Sequence, residues 1–354
     1  MQIKINNVAK TILLGIMLIF PVCIFAVSEA SCLFLLIEPS SRSGGMGQAH
    51  VAQVDDGFAG YWNPGAMAFN RKNQFAGMHT NWFSDVPGLD DIYLEYLGWN
   101  NYVQDLNGNL GFHVIYLTYG TQERTDMAGK HLGTFSSYEV AIATSYAYQV
   151  NENLGVGLTF KFILSDLSPE GTGPTESGVK GRGISYAFDL GLLKKNLFIP
   201  KFDLGLNLQN IGPNITYINE AQTDALPMNL RLGVSYRVWE TEYYKFTVNG
   251  DMNKLLANDD FVLARLVTAW YDDGGWQELN STIFSIGGEF LYWNLLSGRA
   301  GFIYDKAGSI IGPSFGLGIT YTFYQKYKLN FDFAMQQGGE MVDYNKTFSL
   351  SVDF

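Results

Sequence analysis

The sequence contains few of the residues that build disulfide frameworks, metal centres and catalytic clusters. Its 354 residues include two cysteines and four histidines, and only 16% are Asp, Glu, Lys or Arg, against about 25% in a typical soluble domain. Two cysteines cannot cross-link a chain of this length, and His50, His79, His113 and His131 lie far apart without a metal-ligand spacing. The composition therefore excludes a disulfide-rich domain and gives no support to a histidine-based active site.

Positive charge and catalytic motifs are also scarce. The net charge is −11, so a nucleic acid is not expected as a partner, because phosphate binding needs a basic face. The glycine-rich stretch 44–47 lacks the Lys-Ser/Thr of a phosphate-binding loop. Asp55-Asp56 and Asp272-Asp273 are interpreted as turn-capping residues rather than a cation site, because no further carboxylates are spaced to complete one. We predict a protein without enzymatic activity, cofactor or bound metal.

Only one long apolar run occurs, and it lies at the N-terminus. Lys4 and Lys10 precede the apolar residues 11–26, and small residues follow them. This order is typical of a secretory signal peptide, so residues 1–30 are predicted to be removed. A transmembrane anchor is the alternative, but the run is short for a spanning helix.

The rest of the chain alternates apolar and polar residues with a period of two. Between 348 and 354 every even position is apolar, and Thr347, Ser349, Ser351 and Asp353 take the odd positions. Such segments run for about eight to fifteen residues, longer than the five or six of a soluble sheet strand and sufficient to cross a bilayer. Aromatic residues form 15% of the chain and suit the girdles of a membrane barrel. The predicted fold class is all-β, a transmembrane antiparallel β-barrel with its small and polar face toward the lumen.

About fourteen strands are predicted between residues 74 and 354, an even number as in bacterial outer-membrane barrels. The connections 166–182 and 254–281 are long, whereas 194–200 and 292–294 are short. This alternation predicts an integral outer-membrane protein with its long loops at the cell surface. The other predicted long loops are 123–133, 211–226, 305–313 and 336–346. Strands are expected to begin near Gln74, Asp91, Asn109, Phe135, Leu154, Gly183, Lys201, Met228, Tyr244, Thr282, Leu295, Phe315, Tyr327 and Thr347.

Residues 31–73 precede the first strand and differ from the rest of the chain. They are rich in glycine and turn-forming residues but retain large apolar side chains such as Phe58 and Trp62. We predict that this segment folds into the lumen as a plug, because its apolar content favours burial. A disordered periplasmic tail is the alternative.

Isolated carboxylates on the predicted strands are expected to face the lumen, because a charge facing lipid is costly. Arginines on other strands can pair with them there. The carboxylates are Asp189, Asp203 and Glu289, and their candidate partners are Arg231, Arg237 and Arg299.

Three blocks of sequence resemble a known family. The first contains Gly44, Met46, Gly47, Asp55, Asp56, Trp62, Asn63 and Pro64. The second is the LNLQNIGP sequence at 206–213, followed by LPMNLRLG at 226–233, and the third spans NKLL at 253–256, DDGGW at 272–276 and SIGGEF at 285–290. The first two blocks resemble the PorV/PorQ family of outer-membrane proteins, which is related to the FadL fatty-acid transporters. The third is similar to the PorV branch of that family.

The resemblance implies a FadL-type barrel of fourteen strands with an N-terminal hatch and a role in the type IX secretion system. PorV-like proteins bind the C-terminal sorting domains of cargo, dock against the translocon barrel and carry cargo to a surface attachment complex that contains the sortase. The resemblance implies the same role for this chain. Exposed loops would then provide the binding surface. Candidate contact residues are Asn210, Gly212, Pro213, Asn253, Lys254, Leu255, Leu256, Trp270, Tyr271 and Trp276.

Alternatives to the secretion role remain open at this point. A FadL-like barrel could conduct long-chain fatty acids or other hydrophobic small molecules, and a third possibility is a barrel that anchors another surface protein. Fold alone does not separate these functions. For Trp270, Tyr271 and Trp276, ordinary loop packing or the aromatic girdle is as consistent with the sequence as partner binding.

Overall fold

The computed structural model describes residues 30–81, 86, 89, 91–126, 128–168, 181–217, 223–258, 260–271, 275–324, 326–339 and 342–354. The predicted signal peptide lies outside this part of the chain except for Ala30. Within it, fourteen antiparallel strands close into a barrel, and two short strands form a separate ribbon. The strands are β1 Gln74–Asn81, β2 Ile92–Val103, β3 Gly108–Thr125, β4 His131–Asn151, β5 Leu154–Ser168, β6 Gly181–Lys194, β7 Phe202–Ile211, β8 Ile215–Thr216, β9 Thr223–Asp224, β10 Asn229–Glu240, β11 Tyr244–Leu255, β12 Thr282–Tyr292, β13 Leu296–Asp305, β14 Ile310–Phe323, β15 Tyr327–Gln337 and β16 Tyr344–Asp353.

Each barrel strand pairs with the strands that precede and follow it in the chain, with two exceptions. Strand β7 pairs with β10, because the β8–β9 ribbon lies in the connection between them. Strand β1 pairs with β16 and closes the cylinder. This all-β barrel of fourteen strands confirms the predicted fold class.

Ten of the predicted strand starts lie within one residue of the observed ones, and four strands begin earlier than predicted. The segment 123–133 is mostly strand, because β3 and β4 continue as a paired ladder and leave only 126–130 between them. The connection 305–313 likewise shrinks to 306–309, and 336–346 to 338–343. Backbone hydrogen bonds continue the strand pairing in these hairpins beyond the residues whose side chains alternate between apolar and polar. The side-chain pattern therefore does not indicate the full length of these strands.

The two faces of the wall differ as the alternation predicts. On β14, Phe315, Leu317 and Ile319 point outward and are exposed, whereas Ser314 is fully buried. Large apolar side chains on the outer face suit a lipid environment.

Residues 30–73, here called the inner segment, pack against the inward face of the barrel wall. Phe34, Leu35, Phe58, Tyr61 and Trp62 form the main apolar core together with inward side chains of the wall. The inner segment contains the 3-10 turns η1 Leu33–Leu36 and η2 Pro64–Phe69 and the short helices α1 Ser41–Gly44 and α2 Ala59–Trp62. Outside it lie η3 Gln104–Leu106, α3 Arg265–Thr268 and α4 Gly275–Asn280.

No helix among the described residues is both long and apolar enough to cross a membrane.

Candidate functional site

Inward-facing glycines of the wall hold the inner segment by close backbone contact. A Cβ atom at Gly287 would lie 2.2 Å from the Met46 carbonyl oxygen, and one at Gly301 would lie 2.1 Å from the Met46 carbonyl carbon. The inner segment contributes Gly47, whose φ of +65° is a left-handed conformation that favours glycine. The small residues on the inner wall therefore provide the space that this segment fills.

A polar clamp joins the first and second sequence blocks. The side-chain amide of Asn207 donates to the carbonyl oxygens of Tyr61 and Trp62 at 3.1 and 2.9 Å. The amide of Gln209 donates to the same Tyr61 carbonyl at 2.8 Å. Asn63 donates to the carbonyl of Leu192 on β6 at 3.0 Å and so fixes the next residue of the motif to the wall. The three contacts with Tyr61 and Trp62 are buried, and an unmade hydrogen bond is costly there.

The arginine of the 226–233 block completes this clamp. Arg231 donates from Nε to Gln209 Oε1 at 2.8 Å and forms an ion pair with Glu38. Its guanidinium lies 4.9 Å from the centre of the Trp62 ring and 5.6 Å from that of Tyr61. Blocks separated by more than a hundred residues in the sequence thus form one contact region in the lumen.

Asn210 belongs to the wall and not to an exposed surface. It is 1% exposed, with φ +59°, and its Oδ1 accepts from Lys161 Nζ at 2.7 Å. Its backbone N–H donates to Asp189 at 2.8 Å, and Lys161 pairs with Asp189 at 2.8 Å. Asn210 is therefore unavailable for direct contact with a partner and instead secures this buried ion pair.

The predicted lumen pairings of the three carboxylates are partly correct. Glu289 pairs with Arg299 at 2.7 Å and Asp203 with Arg237 at 3.7 Å, as expected. Asp189, in contrast, pairs with Lys161 on the adjacent strand β5, two residues along from Thr159, the residue directly opposite Asp189. The sequence analysis considered only arginines as partners and therefore did not identify Lys161.

Arg42 of the inner segment forms ion pairs both within that segment and with the barrel wall. It pairs with Glu289 and Asp55, and Asp56 Oδ2 lies 3.7 Å from its Nη1. Burial raises the pKa of Asp56 to about 6, and the neighbouring Asp55 adds to the rise while Arg42 opposes it. Burial lowers the pKa of His50 to about 3, so this imidazole is neutral at neutral pH. Asp55 and Asp56 thus act as ion-pair partners of Arg42.

The remaining motif residues of the first block are packing positions. Met46, Trp62 and Asn63 have no exposed surface, and Trp62 Nε1 donates to the Pro39 carbonyl at 2.7 Å. A Cβ at Gly44 would lie 2.9 Å from Gln336 Oε1. Pro64 begins η2 and lies against Gly157 and Gly191.

The β11–β12 connection brings the NKLL residues to the base of a loop. Lys254 is buried and pairs with Glu278, and it also donates to Ser281 Oγ at 2.7 Å. Leu256 is fully buried with Met228 and Ala269 in a second, smaller core. Asn253 and Leu255 are half-buried. These residues stabilise the loop from below.

Of the other two candidate contact residues in the second block, Gly212 is buried and Pro213 is exposed. A Cβ at Gly212 would lie 2.2 Å from the Tyr186 carbonyl oxygen. The Pro213 carbonyl accepts from Ser185 Oγ at 3.2 Å.

An exposed apolar surface covers the β11–β12 loop above that base. Phe261 is 72% exposed, Val267 61% and Tyr271 62%, and Trp270 is also exposed. The structure thus leaves the side chains of both Trp270 and Tyr271 exposed on this loop. The side chain of Trp276 and residues 272–274 lie outside the described part of the chain. The sequence did not identify Phe261 or Val267, because single apolar residues in a loop are consistent with ordinary packing.

In the described part of the chain, no group of three or more His, Cys, Asp or Glu side chains is arranged to hold a metal ion.

Comparison with known sequences gives the family. The model of the type IX secretion system protein PorV matches residues 26–260 of the 354. The chain belongs to the PorV family. The match includes the inner segment and the 206–213 and 226–233 blocks, so the residues of the polar clamp lie within the matched region. No curated protein matches the chain.

Solved structures similar to the chain share its fold at low sequence identity. The Pseudomonas putida toluene transporter TodX has a TM-score of 0.52 at 13% identity, covering 89% of this chain and 97% of that one. The monoaromatic hydrocarbon channel CymD has a TM-score of 0.51 at 14% identity, covering 88% and 96%. A Pseudomonas aeruginosa FadL homologue has a TM-score of 0.48 at 12% identity, covering 89% and 98%. Identities this low show the fold alone.

Proposed function

We propose that the chain is a non-enzymatic outer-membrane component of the type IX secretion system that binds the C-terminal sorting domains of cargo. It receives cargo at the translocon barrel and carries it to the surface attachment complex that contains the sortase. Membership of the PorV family is the observation that carries this proposal.

The exposed apolar surface of the β11–β12 loop is the proposed contact region. Isolated apolar side chains are common on protein surfaces, but clusters rimmed by polar residues mark interaction sites. Trp and Tyr are enriched among the residues that dominate binding energy. Phe261, Val267, Trp270 and Tyr271 are all exposed on this one loop, and the buried Lys254–Glu278 pair stabilises its base.

In the proposed orientation the inner segment is a plug, and the end that carries the β11–β12 loop faces the cell surface. Residues 1–30 are removed as a signal peptide, and residues 31–73 close the barrel that residues 74–354 form. The buried contacts of Trp62 and Arg231 support a stable plug.

The alternative function is transport of long-chain fatty acids or other hydrophobic molecules. The transporter and channel structures with the same fold suggest it, at identities that show the fold alone. A conduit needs an apolar path past the inner segment. Tyr61 and Trp62 are fully buried, and Arg42 and Glu289 form an ion pair between the inner segment and the wall, so these contacts favour secretion.

The test is complementation of a deletion strain, followed by proteomics of periplasm, surface and medium. Without the gene, cargo should accumulate in the periplasm with its sorting domain uncleaved, and the wild-type gene should restore export. The double variant Trp270→Ala/Tyr271→Ala should fail to restore it while reaching the outer membrane in normal amounts.

The matched control is Phe198→Ala, which removes an aromatic side chain that is 91% exposed on the turn between β6 and β7, at the opposite end of the barrel. Full export in this control is expected. Unchanged cargo distribution in the deletion strain, together with reduced uptake of a hydrophobic compound, would replace the secretion role with the transport role.

A further inference from the structure

A polar cavity of about 190 Å³ lies between the inner segment and the wall, at the end of the barrel with the short turns. It is far larger than the roughly 10–15 Å³ of such volume that one water molecule needs. Four strands, β6, β7, β10 and β11, meet the inner segment here. The side chains that bear on its chemistry are Lys195, Asp203, Ser235, Arg237, Lys245 and Thr247.

The cavity carries an excess of positive charge. Asp203 is engaged by Arg237 at 3.7 Å and by the Asn196 backbone N–H at 2.9 Å. The other acidic lining residue, Asp55, is paired with Arg42.

Within the described ranges, neither Lys195 nor Lys245 forms an ion pair, and the Lys195 ammonium lies 3.9 Å from the centre of the Phe69 ring. Burial lowers the pKa of Lys195, and the proximity of Arg237 and Lys245 lowers it further, against the opposing effect of Asp203 and Asp55. Two cations thus face this space without an ion pair to a carboxylate in the described part of the chain.

Two buried hydrogen-bond donors at the same cavity also have no partner among the described residues. Thr247 is 1% exposed, and its Oγ1 makes no hydrogen bond to a described residue. The Nε of Arg237 is likewise buried and unpartnered. A buried donor without a partner is costly, and native structures rarely leave one without a reason. The Ser235 hydroxyl lines the same wall.

We propose that this cavity is a binding site for a phosphate-type oxyanion. Lysine and arginine supply the charge that such an anion needs, and the hydroxyl of Thr247 and the Nε–H of Arg237 supply directed hydrogen bonds. A bound oxyanion satisfies both unpartnered donors and neutralises the charge of Lys195 and Lys245. The same chemistry can come from free phosphate or from a phospholipid headgroup, and the experiment separates the two sources.

The experiment is isothermal titration calorimetry on the full chain, which is purified in a maltoside detergent and a phosphate-free buffer. The probes are inorganic phosphate and a short-chain phosphatidic acid below its micelle concentration. The wild type is expected to bind, and the double variant Lys195→Gln/Lys245→Gln to bind at least tenfold more weakly. Thr247→Val, which keeps the shape of the side chain and removes the hydroxyl, is expected to weaken binding several-fold.

Lys201→Gln is the matched control, because Lys201 is an exposed lysine on the same β6–β7 turn that pairs with Glu240 at 3.5 Å outside the cavity. Its binding should equal that of the wild type, and heat-modifiability in gels confirms that each variant is folded. Binding of inorganic phosphate identifies a free anion as the ligand. Binding of the lipid alone identifies a headgroup. Failure of both probes to bind the wild type, or wild-type affinity in the double variant, overturns the proposal.

Discussion

The guanidinium of Arg42 meets the carboxylate of Glu289 at two points, with Nε–Oε2 and Nη2–Oε1 distances of 2.8 Å each. This pair joins the inner segment to β12. Glu289 also accepts from Arg299 at 2.7 Å, and Arg299 in turn donates to Asp332 at 2.7 Å. The position of the inner segment is therefore fixed by a charged network as well as by apolar packing.

Loss of the Arg42 charge is expected to destabilise the barrel. Arg42→Gln leaves the buried Glu289 with one cation fewer, and breaking a buried ion pair typically costs about 3–5 kcal/mol. The free energy of unfolding, measured by urea titration with tryptophan fluorescence in detergent, should fall accordingly.

The double variant Arg42→Gln/Glu289→Gln should lose less than the sum of the two single variants, because the two side chains are coupled. If the loss of unfolding free energy in the double variant equals the sum of the two single losses, Arg42 and Glu289 do not stabilise the protein through their interaction.

Glycine at position 301 should be essential, whereas glycine at 298 on the same strand should not be. A Cβ at Gly301 would collide with the backbone at Met46, whereas one at Gly298 would meet nothing within 4 Å. Gly301→Ala should displace the inner segment and expose it to limited proteolysis, with a loss of about 1–3 kcal/mol or more. Gly298→Ala should remain as protected as the wild type. Equal protection of both variants would contradict the close contact.

The pKa of Asp56 predicts an unusual pH dependence. Its value of about 6 in the folded state lies above the roughly 3.9 of an unfolded aspartate. The folded state therefore binds the proton more tightly, so the stabilising contribution of protonated Asp56 is complete below about pH 4 and is lost as the pH rises through about 6.

Relative to Asp56→Asn, the wild type should lose about 2–3 kcal/mol of unfolding free energy between pH 4 and pH 7. The pKa of His50 is also shifted, but both proteins contain this residue, so its effect cancels in the comparison. A difference that stays constant with pH would rule out this titration.

Asn210 variants should impair stability before they impair partner binding. Asn210→Ala removes the acceptor of Lys161 and the donor to the Pro227 carbonyl and places alanine at a left-handed φ, for a total cost of about 2–4 kcal/mol. Asn210→Gly relieves the backbone strain and should recover about 1 kcal/mol of this loss.

Cargo export should fall only in proportion to the amount of folded barrel, whereas the exposed Pro213→Ala should leave stability unchanged. An export defect in an Asn210 variant of normal stability would instead support a direct contact.

The sequence by itself determined the fold class and the positions of most strands. A two-residue period is a local property, because alternate side chains of a strand point to opposite faces whatever the rest of the chain does. The starts of β1, β5, β11, β12 and β15 coincide with the predicted residues for this reason. The polar hairpin of β3 and β4 was underestimated, because its apolar signal ends before its backbone ladder does.

Only the tertiary structure decided which residues meet in the lumen. The clamp of Asn207 and Gln209 on Tyr61, and the partnership of Lys161 with Asp189, depend on the register and closure of fourteen strands, which no local pattern encodes. Burial was decided in the same way. Asn210 and Lys254 resemble exposed loop residues in the sequence, yet the packed barrel places both inside, because their polar groups find buried partners there.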